Sequence, residues 1–207
     1  MAIINEYVHE EWLITCITNG TWKQNCYLLR KKKFNQCLII DPGSEGNEIV
    51  KVIKKKSLVP VGIYNTHGHY DHIGAVDLIK KTFDVNFYIH SGDKKLVKHG
   101  NLYRIIFDNT DMIGIPKIDY FLDAGNVSTI NDWKFSIIHT PGHTEGSCCF
   151  MLDNILITGD TLLNSGQGRT DLPGGNKKKI EKSIQKLKLI KEKKMIFPGH
   201  GLPFFIN

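Results

Sequence analysis

The sequence predicts an α/β protein in which two sheet-rich halves carry helices on the outside. Three observations lead there. Short β-branched runs of strand length recur along the chain, amphipathic stretches of helical period occupy 47–56 and 180–190, and Gly, Pro and Asn turn signals punctuate both halves. With 207 residues, 41% of them hydrophobic and 23% charged, the chain can bury one large core, so a single domain over 1–207 is expected.

Taken in order, 12–18, 25–30 and 36–40 read as strands, separated by Asn19-Gly20 and a lysine-rich turn at 31–35. They form an antiparallel meander. Asp41-Pro42-Gly43 reverses the chain, and 47–56 is a helix with Ile49, Val50, Val52 and Ile53 inward. A strand follows at 59–65. Beyond 66–74, Ala75, Val76, Leu78 and Ile79 recur at helical spacing. Residues 86–90 read as a strand and 92–97 as a short helix, whereas 99–119 mixes polar and apolar residues like a lid, a loop with some helix. Four further strands, 126–129, 134–139, 147–152 and 155–158, make a second sheet, with the Pro141-Gly142 turn between the second and third. Helix 180–190, a last strand at 195–197 and the turn Pro198-Gly199-His200-Gly201 complete the chain.

The densest chemistry lies in 66–74, THGHYDHIG, where His67, His69, Asp71 and His72 fall within six consecutive residues. Side chains alternate along an extended chain, so His67 and His69 share a face, while Asp71 and His72 sit where the next helix begins. A polar turn that happens to be rich in histidine is the bland alternative, and four ligand-type groups in six residues argue against it. Imidazole with carboxylate suits zinc, iron or manganese, whereas a calcium site would be almost all oxygen. Adjacent Asp71 and His72 do not easily share the ion that His67 and His69 hold. The turn therefore offers two ligands to each of two metals, and others must come from elsewhere. His143, Asp160 and His200 are the candidates, each just past a strand and next to glycine or proline, in HTPGHT, TGDT and FPGHG.

Composition narrows the function classes. No signal sequence opens the chain and no apolar run nears the roughly 20 residues that span a bilayer, so the cytoplasm is the expected location and no membrane partner is expected. Cys16, Cys26, Cys37, Cys148 and Cys149 lie mostly in apolar runs without CxxC spacing. They read as reduced, buried thiols rather than a disulfide framework or a nucleophile. The formal charge of +6 comes from lysine blocks at 31–33, 54–56, 177–179 and 191–194. They are scattered, lack interleaved aromatics and accompany no nucleic-acid motif, so no specific nucleic-acid partner is expected.

The set THGHYDHIG, HTPGHTEGS, TGDTL and FPGHG, in this order, resembles the metallo-β-lactamase fold superfamily, and within it the small glyoxalase II-like hydrolases. The resemblance covers nearly the whole chain. It implies a four-layer αββα sandwich of two mixed β-sheets flanked by helices, with metals at one edge between the sheets. Carried over residue by residue, it implies that His67, His69 and His143 hold one metal, Asp71, His72 and His200 hold a second, and Asp160 bridges them. The implied cofactor is a pair of divalent transition ions, zinc first, with iron or manganese as the other options. Such a pair provides hydroxide near neutral pH, which Asp71 helps to orient, and hydrolysis of a thioester such as S-lactoylglutathione is the implied reaction.

Residues 166–175, GQGRTDLPGG, follow Asp160 closely and are expected to border the pocket. Arg169 there is a candidate clamp for a substrate carboxylate, or else pairs with Asp171 to hold the loop. Full-length glyoxalase II enzymes place a basic residue and, two positions on, a tyrosine at the matching stretch. Here Asp171 replaces the aromatic and, with Arg169, is the substrate-binding candidate. The C-terminal helical domain that completes the glutathione site in those enzymes is not expected in this chain. Two rivals are an iron-dependent persulfide dioxygenase of the same fold, using one metal held by groups such as His67, His143 and Asp160, and a non-catalytic metal-stabilised binding protein. Another ester or a phosphodiester is the remaining substrate alternative, since the same hydroxide would attack either.

Overall fold

The computed structural model describes residues 2–108, 112–122, 127–130, 133–190 and 192–206, with the backbone alone for 127–130. The first half runs β1 (Ile3–His9), β2 (Trp12–Asn19), β3 (Gln24–Lys31), β4 (Gln36–Ile40), α1 (Gly46–Lys55), β5 (Val59–Tyr64), α2 (Tyr70–Ile73), α3 (Val76–Phe83) and β6 (Phe87–His90). A 3-10 turn at Ser91–Asp93 leads into α4 (Lys94–Lys98), α5 (Gly100–Asp108) and β7 (Tyr120–Leu122). The second half runs β8 (Val127–Ile130), β9 (Trp133–His139), β10 (Cys148–Leu152), β11 (Ile155–Gly159), α6 (Lys177–Lys188), β12 (Lys194–Pro198) and β13 (Phe204–Ile206). Asn126, expected in a strand, residues 109–111 of the expected loop and Lys191 of the last lysine block lie outside the described residues.

Strands β1 to β7 form one sheet in sequence order, antiparallel as far as β4 and parallel from β4 to β7. The second sheet has the order β13-β12-β11-β10-β9-β8, with β11 and β12 its parallel pair. Alternation along the strands produces the layers. In β3, Tyr27 and Leu29 join the core between the sheets, whereas Cys26 and Leu28 join the core under the helices of the first half. In β11, Ile155 and Ile157 face the central core and Leu156 the outer one. Trp12 and Trp133, each 1% exposed, meet edge to face across the central core at 5.7 Å. Ile49, Val52 and Ile53 of α1 and Val76 and Ile79 of α3 cover the first sheet, and Leu187 of α6 covers the second. The result is the four-layer αββα sandwich.

Three strands are additional to those expected: β1, β7 and β13. The helix expected to begin at Asp71 and His72 does begin there, at Tyr70, but it is broken into α2 and α3. At the break Ala75 N–H donates to the Pro42 carbonyl at 3.0 Å, and Gly74 makes room for the Asp41-Pro42-Gly43 reversal, since a Cβ there would lie 2.2 Å from the Gly43 carbonyl oxygen. All five cysteines are buried free thiols. Among the described residues no helix is long and apolar enough to cross a membrane.

Candidate metal centre and substrate cavity

Every candidate ligand follows the C-terminal end of a strand at one edge of the sandwich. His67, His69, Asp71 and His72 follow β5, His143 follows β9, Asp160 follows β11 and His200 follows β12. The two sheets are joined at this edge. Asn25 N–H donates to the Gly199 carbonyl at 2.8 Å, Tyr27 OH to the Pro198 carbonyl at 2.6 Å, and Cys148 N–H to the Thr66 carbonyl at 2.8 Å. Residues at four strand ends are thereby held to one place.

The seven side chains converge in two groups. His67, His69 and His143 each offer a nitrogen within 4.8 Å of the others, as do Asp71, His72 and His200 with an oxygen and two nitrogens. His69 Nδ1 lies 2.9 Å from His143 Nε2, and His72 Nε2 lies 3.3 Å from His200 Nε2. Asp160 stands between the groups, with Oδ2 at 3.4 Å from His143 Nε2 and 3.5 Å from His200 Nε2, and Oδ1 at 3.6 Å from His72 Nε2.

Hydrogen bonds behind the rings fix which nitrogens face inward. His143 Nδ1 donates to the Arg169 carbonyl at 2.7 Å, His200 Nδ1 to the Trp22 carbonyl at 2.9 Å, and His72 Nδ1 to Asp41 Oδ2 at 3.1 Å. These oxygens only accept, so in each neutral ring Nε2 is left with a lone pair turned into the cluster. Two such lone pairs at 3.3 Å need a cation between them. His67 Nε2 and Asp160 Oδ1 are buried and without a hydrogen-bond partner among the described residues, a cost that a metal ion removes. The residues present thus fit a pair of transition ions.

Charge is balanced unevenly across the cluster. Burial lowers the pKa of His69 to about 3, with His143 adding repulsion, and burial likewise holds His67 well below its usual range. His72 is also penalised by burial, but Asp71, Asp160 and Asp41 outweigh it and raise it to about 9. Burial opposes ionisation of Asp71 and Asp160, yet the imidazoles facing them win and depress both.

Two positioning carboxylates were not singled out in the sequence. Asp41, read there only as part of a reversal, holds φ +49 and accepts from Thr66 N–H at 2.7 Å and Thr66 Oγ1 at 2.6 Å besides His72. Although Asp41 also lies near His67 and His72, these bonds engage both its oxygens, which makes it an orienter of ligands. Asp93, fully buried, accepts from Gly68 N–H at 2.8 Å, Gly146 N–H at 2.7 Å and Thr144 Oγ1 at 2.7 Å, and so ties the His67–His69 turn to the His143 loop.

Above the cluster opens a cavity of about 330 Å³, floored by His69, Asp71, His143, Asp160 and His200. Trp22, Tyr70, Leu96, Tyr103, Phe107, Leu163, Leu172 and Pro173 line its walls, with Arg169 at the rim. Trp22 Nε1 and Tyr70 OH both donate to Asp108 Oδ1, at 2.6 and 3.1 Å, which fastens the end of α5 over the site. The Arg169 guanidinium faces Asp171 as a fork, Nε to Oδ1 at 2.9 Å and Nη2 to Oδ2 at 2.7 Å, and both side chains are exposed. Asp171 does not line the cavity.

A strand-end cluster of imidazoles and carboxylates between two helix-covered sheets defines a metal-binding hydrolase site. The chain belongs to the metallo-beta-lactamase superfamily, whose family model matches residues 19–200. It is 32% identical over 197 residues to the hydroxyacylglutathione hydrolase GloC of Haemophilus influenzae, covering 91% of this chain and 90% of that protein. Among solved structures it resembles the BLEG-1 B3 metallo-beta-lactamase, with a TM-score of 0.87, 30% identity and 93% of each chain covered. It also resembles TTHA1623 in a di-iron-bound form, with a TM-score of 0.82, 28% identity, and 91% of this chain and 93% of that one covered.

Proposed function

We propose that this metallo-hydrolase cleaves thioesters at a binuclear centre, with His67, His69 and His143 holding one ion, Asp71, His72 and His200 the other, and Asp160 shared. The observation that carries this reading is the placement of Asp160 within 3.4–3.6 Å of ligand nitrogens from both groups. Two bound divalent ions would supply hydroxide near neutral pH and polarise the substrate carbonyl. The chain's own residues do the rest. Asp71 Oδ2, 3.4 Å from His200 Nε2, stands where it can orient the attacking water, and Asp41 and the Arg169 and Trp22 carbonyls keep the imidazoles aimed. Tyr70 points its phenolic proton at Asp108 and not at a leaving group. A thiolate, whose conjugate thiol has a pKa of about 8.5, departs without a proton donor, whereas an alkoxide or amide does not. The likeness to GloC supports the same choice.

Zinc is the metal we assign first, with iron second because TTHA1623 is known in a di-iron form. We place the enzyme in the cytoplasm, a reducing compartment that suits five buried free thiols. The test is metal content measured beside hydrolysis of a thioester panel that includes S-lactoylglutathione. About two ions per chain, with activity lost to chelators, is expected; Asp160→Ala should empty both sites and His200→Ala chiefly the second. One ion per chain unchanged by added zinc, with oxygen uptake on a persulfide, would instead identify the dioxygenase.

A further inference from the structure

The charged groups of the cavity are its histidine and carboxylate floor and Arg169 at the rim, and between them the walls are leucine, proline and aromatic faces whose polar atoms are the Trp22, Tyr70 and Tyr103 tips. Leu96 and Tyr70 are buried wall residues, whereas Trp22 and Phe107 keep 47% and 44% of their surfaces exposed beside the site. Large aromatic faces left open next to a reaction centre are area that a bound apolar group would remove from water. The one lining cation outside the histidine cluster, among the described residues, is Arg169, and its fork already holds a carboxylate of this chain. A carboxylate of a charged peptide such as glutathione would have to displace Asp171 from this fork, whereas an apolar group meets the leucine and aromatic faces with no such exchange.

We infer that the cavity takes an apolar or aromatic group attached to the thioester carbonyl or to its sulfur, so that the substrate class is a hydrocarbon-rich thioester and not a charged peptide thioester. The inference rests on the thioesterase reading above. Its geometry is set by the Asp108 clamp, which holds Trp22 and Tyr70 as one wall, and by Leu163 and Leu172 from the segments after Asp160 as the other. With the carbonyl over the floor, whichever substituent points outward passes between these walls.

The experiment uses the metal-loaded protein and two substrate series. In one, N-acetylcysteamine thioesters carry acetyl, butanoyl, hexanoyl or phenylacetyl groups; in the other, the acetyl thioesters of phenylmethanethiol and glutathione are compared. Each methylene that enters the walls should raise kcat/KM about fourfold, the equivalent of about 0.8 kcal/mol. A rise along the first series places the acyl group in the cavity, and preference for phenylmethanethiol places the thiol portion there. Leu163→Asn should flatten the favoured series while metal content stays at the wild-type level. No rise in either series, or acetyl-glutathione as the best substrate, overturns the inference and leaves the thioesterase reading standing. No hydrolysis of any member by protein shown to hold both ions overturns that reading, and the inference with it.

Discussion

Arg169 shows how one side chain changes meaning when its neighbours are seen. A guanidinium beside a pocket suggests a carboxylate clamp, but the fork closes on Asp171 two residues away. Both partners are more than half exposed, and such a pair contributes about 0–1 kcal/mol in water. What Arg169 gives the site is its backbone carbonyl, which receives the His143 Nδ1 proton and survives any substitution of the side chain. Arg169→Ala is therefore expected to keep its metals and to lower kcat/KM by no more than about fivefold, the same for a thioester bearing a carboxylate and a neutral one of matched size. Steady-state kinetics on the pair checks it. A loss above tenfold confined to the carboxylate-bearing substrate would restore the clamp.

Among elements, the strands that escaped the sequence share a physical reason. β1 alternates partly covered and exposed residues at the sheet edge and leaves Ile3, Ile4 and Val8 open to water, so no buried period marks it. β7 and β13 are three residues each, shorter than any window in which a period of two can be read. The break between α2 and α3 leaves no trace in local spacing, because it goes with a bond from Ala75 N–H to the Pro42 carbonyl in a reversal distant in sequence. Four of the seven candidate ligands were legible from their density in 66–74, and His143, Asp160 and His200 because each follows a strand and sits beside glycine or proline. The groups that aim them were not, since Asp41 meets Thr66 from 25 residues away, Asp93 meets Thr144 from 51 and Trp22 meets His200 from 178. The turn after β12 offers a sharp test of how tightly elements close on the site. A Cβ on Gly199 would lie 2.1 Å from Asp160 Oδ1 and 2.9 Å from His72 Cε1, so Gly199→Ala must displace groups of both proposed metal sites. Overpacking of this kind costs about 1–3 kcal/mol. We expect Gly199→Ala to fold but bind less than one ion per chain by elemental analysis; full occupancy would mean the turn can move without the ligands.

For the whole molecule, the cluster couples folding stability to pH, and bound metal removes that coupling on the alkaline side. In the metal-free protein, His72 titrates at about 9 against an ordinary 6.5, because Asp71, Asp160 and Asp41 overcome the burial that opposes its charge. A raised folded pKa means that its stabilisation is fully present below pH 6.5 and is lost as pH climbs through about 9. His200 is shifted the same way. His69, pushed down to about 3 by burial, works on the other side of neutrality, its contribution intact above pH 6.5 and lost as pH falls toward 3. These groups together make the metal-free protein most stable near pH 6.5, with a loss from His72 of up to about 1.4 kcal/mol per pH unit on the alkaline side. Bound ions replace the protons on these rings. Protons compete with metal for the same lone pairs, so metal affinity rises with pH over the interval in which the stripped protein loses stability, the two effects cancel, and the loaded protein stays nearly level. Thermal unfolding between about pH 7 and 9 should give a falling profile with a chelator and a nearly level one with zinc. Parallel slopes would show that the ions bind elsewhere than at His72 and His200.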